Sequence, residues 1–358
     1  MLTRRALMAT AASAAAAPLL SAQTKSLPPS IAALKSRRGE MKPITNEERQ
    51  ARLDRAQRLM AEKKVDAICM AGGTSLQYFA NVRWGNSERM LLMVLPAKGE
   101  PFFVVPSFEE DRAREQIALG PAGTKAQVSR WEEDESPYEK VALGLKERGI
   151  RTGTLGVEET TKFVFSEGIG KAATQVKIAN ATEITAGCRM IKSPAELALM
   201  RLANSVTLEA YEAAWKAITP GMTHREFGEL ITAAHAQLGF QGGAMVLTAE
   251  YSALPHGTIK PQIIREGTIV LIDGECRADG YPSDITRTFV IGKPTDKMKK
   301  VFDIVRKAQD AALKTARPGV GVRGGGRGCA QGDHGCGLRA GLQVLHASPG
   351  TWHGHGRA

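Results

Sequence analysis

The stretch VLIDGECRADGYPSDITRTF, residues 270–289, constrains the fold most, because its pattern is that of a β-hairpin. Apolar and β-branched residues precede Asp273 and follow Asp284, and a Gly-containing turn lies between them. Alternate residues of a strand share a face, so carboxylates on two neighbouring strands can face one pocket. We therefore predict a hairpin that presents Asp273 and Asp284, eleven residues apart, to a common site.

Two aspartates near a turn are usually ordinary turn residues, as expected of Asp279 beside Gly280. Asp273 differs because it follows five apolar or β-branched residues, where an unpaired carboxylate would be costly. A buried acid needs a cation, and two carboxylates at bridging distance suit divalent metal ions. The pattern thus favours a metal site at Asp273 and Asp284. We expect Asp279 and Glu275 to be surface charges, and Arg287 to orient the hairpin rather than touch substrate.

The chain before the hairpin divides into two halves of different character. In residues 44–187, apolar runs such as VDAICMAG and PFFVVP alternate with amphipathic helices, which predicts an α/β domain. In residues 188–320, two helices precede the strands, which predicts an α+β domain. Thr45, Ser193 and Thr223 each have a Glu three residues later, so we expect a capping box at each helix start.

Three segments together resemble one known family. GYPSDITRTF, the upstream RMIKSPAELALMRLA and the short ALPHG are similar to segments of the pita-bread metallopeptidases, which include Xaa-Pro aminopeptidases, prolidases, methionine aminopeptidases and creatinase. The likeness covers residues 40–320. It implies an α/β N-terminal creatinase-type domain plus an α+β pita-bread catalytic domain, here incomplete.

The resemblance also implies roles for matching residues. Asp273 would ligate one metal ion, Asp284 would bridge two, and His256 would contact the substrate amide or the tetrahedral intermediate. Two divalent ions (Mn, Zn or Co), a proline-containing peptide substrate and, in the intact family form, a homodimer follow from the same likeness. Without the motif, His256 would be read as a turn histidine before Gly257.

The N-terminal segment has the layout of a bacterial export signal. Arg4 and Arg5 precede an apolar run and a small-residue stretch, which predicts a twin-arginine-type signal peptide over residues 1–23 and a polar linker over residues 24–43. The apolar run is short and Ala-rich, so we expect no stable membrane insertion after cleavage. We therefore expect an exported protein, periplasmic or extracellular.

The C-terminal segment departs from the family pattern. Residues 319–358 hold 13 of the 37 glycines, and no Glu follows Glu275, although the family site needs one His and two Glu further on. Read one base out of frame, the segment can encode HRLGHGMG, a family-like histidine element, so we hypothesise a frameshift near residues 319–323. We expect residues 321–358 to be an aberrant, disordered tail. The alternative, a metal module of His346, His353, His355, Cys329 and Cys336, matches no zinc spacing.

Composition excludes some partners and leaves several functions open. The formal net charge is +11, but no central Lys/Arg block is interleaved with aromatic residues, so we expect no nucleic-acid partner. The five scattered cysteines do not form a disulfide pattern. We predict a metal-dependent Xaa-Pro aminopeptidase or dipeptidase whose chain, as written, is inactive. The alternatives are a non-catalytic pita-bread binding protein, and a metal-free creatinase-like amidinohydrolase, against which the aspartate pair argues.

Overall fold

The first half of the chain is built on one mixed β-sheet. The structure, a computed structural model, describes residues 26–319. Its strands run in the order β4-β3-β2-β1-β5-β6, with β1 parallel to β5 and antiparallel to β2. The bounds are β1 (Ala67–Ala71), β2 (Leu92–Pro96), β3 (Phe102–Pro106), β4 (Gln127–Trp131), β5 (Gly153–Val157) and β6 (Val176–Asn180).

Helices cover both faces of this sheet, which explains why its central strands are apolar throughout. In β1, Ile68 and Met70 belong to one core cluster, whereas Ala67, Cys69 and Ala71 belong to the other. A strand buried on both faces has no polar side, so the run AICMA lacks alternation. The helices are α2 (Asn46–Lys63), α3 (Thr74–Ala80), α4 (Glu110–Ala118), α5 (Pro137–Glu147), α6 (Phe163–Ala172) and α7 (Thr182–Met190).

The second half places two long helices beneath a small antiparallel sheet. Strands run in the order β10-β8-β7, with the short β9 paired to β8. A further helix follows β10. The bounds are α8 (Pro194–Trp215), α9 (His224–Gln237), β7 (Gly242–Thr248), β8 (Ile269–Ala278), β9 (Tyr281–Pro282), β10 (Ile285–Val290) and α10 (Asp296–Thr315). The domain architecture thus has the α/β and α+β halves that the sequence predicted.

Several local predictions can be compared with the structure. Complete capping boxes form at Ser193 and Thr223, as predicted. At Thr45 the box is only half formed: the Thr45 hydroxyl accepts from the Glu48 N–H at 3.2 Å, but the Glu48 carboxylate turns to Arg52. The reason is tertiary, because Arg52 is a buried cation that needs a carboxylate partner.

Helices occupy part of the predicted linker and the predicted domain boundary. The first helix, α1 (Pro29–Ala32), lies in the predicted linker, and its Ile31 is fully buried against α8 and α9. The predicted boundary between residues 187 and 188 falls inside α7. The predicted signal segment and tail lie outside residues 26–319. Among the described residues, no helix has both the length and the apolarity that a membrane crossing needs.

Candidate functional site

Asp273 lies in the middle of β8, on the face of the sheet that points away from the helices. Its neighbour Ile272 is buried in the core beneath the sheet, whereas Asp273 is half-buried. The sequence had suggested that the strand ends at Asp273, but β8 continues to Ala278. The alternation of buried and partly exposed residues along β8 therefore aims the carboxylate outward.

The strand after the turn carries the second carboxylate in a break of the ladder. Thr286 pairs with Asp273, and Asp284, two residues earlier, lies on the same face in the gap between β9 and β10. The gap arises at Ser283, whose hydroxyl accepts the Cys276 N–H at 2.9 Å. The convergence of Asp273 and Asp284 on a common site stays a prediction, since Asp284 itself lies outside the paired residues.

The opposite face of the same strand is fixed to helix α8. The Ser283 hydroxyl lies 2.6 Å from that of Thr207, and the Tyr211 hydroxyl donates to the Ile285 carbonyl at 3.0 Å. Burial raises the pKa of Tyr211, and the nearby Asp273 carboxylate raises it further, so the phenol stays a neutral donor. Tyr281, Ser283 and Ile285 thus fix the strand to α8, and the side chains of the residues between them point to the opposite face.

One oxygen of Asp273 already has a fixed partner. The Thr286 hydroxyl donates to Asp273 Oδ1 at 2.5 Å. Arg287 donates to the Thr286 carbonyl at 2.8 Å, which supports the same strand. Outer partners of this kind orient a carboxylate that binds metal.

His256 lies on the rim of an open groove beside the edge strand β7. The groove has a volume of about 670 Å³ and is lined by His256, Met245 and Leu247 as well as by residues of α9. Met245 is the cross-strand partner of Asp273, and Gly257 packs next to the Met245 side chain. His256 therefore lies beside β7, the strand that pairs with the Asp273 strand β8, and its side chain is exposed to solvent.

The donor set fits divalent ions in part. Carboxylate oxygens suit Mg²⁺, Mn²⁺ and similar ions, and Asp273 and Asp284 supply them on one face. Within residues 26–319, no cluster of three or more His, Cys, Asp or Glu side chains could hold a metal. The described part of the chain thus contains the two predicted aspartate ligands, without a third clustered ligand beside them. The tail residues His346, His353, His355, Cys329 and Cys336 lie outside it.

One prediction in this region is wrong. Asp279 is not a surface charge, because its side chain is only 4% exposed and pairs with Arg83 at 2.5 Å. The Asp-Gly turn signalled a hairpin, but nothing near Asp279 in sequence identifies a partner almost two hundred residues away. Glu275, by contrast, forms an exposed ion pair with Arg277, as expected for a surface charge.

A mixed α/β domain followed by helices beneath an aspartate-bearing hairpin defines the creatinase and pita-bread class of proteins. Comparison with family models agrees with this class. The Creatinase/Prolidase N-terminal domain matches residues 52–191, and Metallopeptidase family M24 matches residues 198–353. The chain therefore belongs to metallopeptidase family M24, with a creatinase-type N-terminal domain. The M24 match extends past residue 319, into the segment where we expected the family pattern to fail.

Over the aligned residues, the curated relatives are about a third identical to this chain or less. It is 32% identical over 290 residues to an uncharacterised peptidase of Schizosaccharomyces pombe, covering 76% of this chain and 61% of that one. A putative dipeptidase of Bacillus subtilis is 30% identical (66% and 64% covered). An Xaa-Pro dipeptidase of Pyrococcus furiosus is 26% identical (75% and 73% covered). The chain thus spans less than two thirds of the first two relatives.

Solved structures share the fold over most of the described residues. A dipeptidase of Pyrococcus horikoshii superimposes with a TM-score of 0.70 at 26% identity, covering 80% of this chain and 78% of that chain. The dipeptidase PepE of Mycobacterium ulcerans gives 0.76 at 24% identity, with 84% and 80% covered. The second likeness shows the fold alone.

Proposed function

We propose that this protein is a metal-dependent peptidase that cleaves peptides at bonds to proline. The observation that supports the proposal is the register of the hairpin, in which Thr286 pairs with Asp273 and donates to its carboxylate, while Asp284 lies two residues before Thr286. Membership of family M24 and relatives named Xaa-Pro dipeptidase support the reaction class and the substrate.

Each residue of the site has a distinct task in this proposal. Asp273 and Asp284 hold two divalent ions, which when bound supply Lewis acidity and activate water for peptide hydrolysis. Thr286 keeps one Asp273 oxygen oriented. His256, exposed on the rim of the groove, donates a hydrogen bond to the substrate amide or to its developing oxyanion. The metal is Mn²⁺, Zn²⁺ or Co²⁺.

We further propose that the 358 residues alone do not hydrolyse peptides. The family site requires a His and two Glu after the hairpin, and this sequence has no Glu beyond Glu275. The neighbouring frame can encode HRLGHGMG across codons 347–355, which supports a one-base frameshift near residues 319–323. If the intact gene also lacks these ligands, the protein is a non-catalytic binding member of the fold.

The test compares two reading frames in one assay. The chain as written and a version with the neighbouring frame restored before codon 323 and read on past codon 358 to its stop codon are purified with Mn²⁺ and given Xaa-Pro dipeptides and longer Xaa-Pro peptides. We expect hydrolysis only by the restored chain, and loss of that activity in its Asp273→Asn and Asp284→Asn variants. Metal-dependent hydrolysis by the chain as written would contradict the proposal, as would a restored chain that cleaves no Xaa-Pro peptide.

Export by the twin-arginine route is a separate proposal that rests on Arg4 and Arg5. Residues 1–40 fused to a reporter that is active only outside the cytoplasm should yield activity. The Arg4→Lys, Arg5→Lys double variant should abolish it, because the paired arginines are what the export machinery reads. Equal reporter activity from both fusions would contradict export by this route.

A further inference from the structure

We propose that the N-terminal domain positions the two site carboxylates by clamping the turn of their hairpin. The clamp joins Asp279 and Tyr281 of the hairpin to Arg49, Arg52 and Arg83 of the N-terminal domain. The inference deepens the proposed metallopeptidase function, because it assigns positioning residues to that same site. None of these arginines lies in the catalytic domain.

The first half of the clamp is a buried carboxylate surrounded by N-terminal groups. Asp279 Oδ1 accepts from Arg83 Nη2 at 2.5 Å, and Oδ2 accepts the Ile44 N–H at 3.1 Å. Arg49 Nη2 lies 3.9 Å from the same Oδ2. A buried carboxylate is costly without such partners, so the turn is most stable when it is docked on the N-terminal domain.

The backbone of the turn is shaped for this docking. Asp279 and Gly280 have φ values of 49° and 88°, the left-handed pair of a tight hairpin turn. A Cβ on Gly280 would clash with the Gln77 side chain, whose amide donates to the Asp279 carbonyl at 3.4 Å. The left-handed backbone therefore favours glycine at this position, and a side chain here would also displace the Gln77 amide.

The second half of the clamp fixes the start of β9. Arg52 Nη2 donates to the Tyr281 hydroxyl at 3.1 Å, and that hydroxyl donates to Glu196 Oε1 at 2.9 Å. Glu196 closes the capping box of α8, so the same carboxylate starts a catalytic-domain helix. Glu48 adds a parallel link by accepting from the Ser193 hydroxyl at 2.7 Å.

The clamp is connected to the site by a short, stiff path. Asp273 precedes Asp279 by six residues and Asp284 follows it by five, which is about 20 Å and about 17 Å of extended chain. The pairs Ala278–Tyr281 and Gly274–Ile285 belong to one register, interrupted only at Ser283 and Asp284, where the Ser283 hydroxyl accepts the Cys276 N–H. A shift or loosening of the turn is therefore passed along both strands to the two carboxylates together.

Hydrogen exchange tests the clamp without requiring activity. Arg83 is 58% exposed, so Arg83→Ala removes one partner of Asp279 with little effect on the core. Arg83→Lys keeps the positive charge, and Asp279→Asn removes the buried negative charge of the turn. Arg114→Ala is the control, because Arg114 is an exposed arginine of the same domain that pairs with Glu110. The full-length chain is used throughout.

We expect the amides of β8 and β10 to lose protection about tenfold in Arg83→Ala and more in Asp279→Asn, because local opening becomes easier. Arg83→Lys and the control should match the wild type, and the amides of β1 should be unchanged in all. Unchanged protection of β8 and β10 in both Arg83→Ala and Asp279→Asn overturns the clamp. If Asp279→Asn does not fold, Arg83→Ala decides alone.

Mn²⁺ titration followed by electron paramagnetic resonance links the clamp to the carboxylates. The dissociation constant should rise about threefold or more in Arg83→Ala and return toward the wild-type value in Arg83→Lys, as for an outer-sphere positioning residue. Lost protection with an unchanged dissociation constant would overturn the positioning role. The titration uses the frame-restored wild type and its variants; a frame-restored wild type that binds no Mn²⁺ refutes the proposed metal site, while the exchange result still decides the clamp.

Discussion

Thr286 donates a hydrogen bond of 2.5 Å to Asp273 across the pair of strands that carries both candidate metal ligands. The bond fixes one carboxylate oxygen and leaves the other to face the site. The carboxylate is therefore oriented by its own strand partner.

Replacing this donor should weaken metal binding. We expect Thr286→Val to raise the Mn²⁺ dissociation constant roughly tenfold, since outer partners of ligating carboxylates contribute at that level. Thr286→Ser keeps the hydroxyl and should stay close to the wild type. Equal Mn²⁺ affinity in the Val and Ser variants, measured by calorimetry, would show that the hydrogen bond has no part in binding.

Gly274, next to Asp273, is needed for the close approach of β7. A Cβ at this position would lie 2.1 Å from the Gly243 carbonyl oxygen, which is backbone and cannot yield. We expect Gly274→Ala to lower the free energy of unfolding by about 2 kcal/mol or more, as for overpacking. Gly39→Ala is the control, because nothing lies within 4 Å of its Cβ position. Similar urea unfolding curves for the two variants would contradict this.

The buried ion pair between the domains should contribute strongly to stability. Arg52 and Glu196 have side chains 6% and 3% exposed and lie 3.7 Å apart. Arg52→Met leaves Glu196 without its cation, so the free energy of unfolding should fall by about 3 kcal/mol. Arg114→Met, which breaks an exposed pair with Glu110, should cost less than about 1 kcal/mol. A cost for Arg52→Met no larger than that of the control would contradict a buried clamp.

His235 should make the fold sensitive to acid. It is fully buried, its Nδ1 lies 2.9 Å from the Ile231 carbonyl oxygen, and its Nε2 has no hydrogen-bond partner in the described part of the chain. Burial lowers the pKa of His235, against a smaller opposing effect of the Ile231 carbonyl. The unfolded chain therefore binds the proton more readily, and the stability from neutral His235 is lost as pH falls below about 6.5.

His235→Leu isolates this contribution, because all other titrating groups, including the adjacent Tyr211 and Cys276, remain. Between about pH 7.5 and about pH 5, the wild type should lose about 1 kcal/mol more unfolding free energy than the variant. Thermal or urea unfolding at both pH values measures the difference. Parallel losses in the two proteins would show that His235 does not titrate on unfolding.

The sequence predicted the parts of the structure that depend on local pattern. The apolar runs became strands, Ser193 and Thr223 became capping boxes, and Asp273 lies in a strand that pairs with the strand after Asp284. Local pattern failed where tertiary contacts decide the outcome. Glu48 left its capping box for Arg52, four residues on in the same helix, and for the Ser193 hydroxyl, and Asp279 became a buried ion-pair partner of Arg83. The contacts with Ser193 and Arg83 join the two domains, and such contacts have no period or spacing in the sequence.

The central claim is that the hairpin of Asp273 and Asp284 holds divalent metal, and one titration tests it most directly. Mn²⁺ is added to the frame-restored wild type and to its Asp273→Asn, Asp284→Asn and Asp296→Asn variants, with bound metal followed by electron paramagnetic resonance. Asp296 is a fully exposed aspartate on α10 and serves as the control. We predict that the wild type and Asp296→Asn bind Mn²⁺ alike and that both hairpin variants lose binding. Equal Mn²⁺ binding by all four proteins would contradict the account.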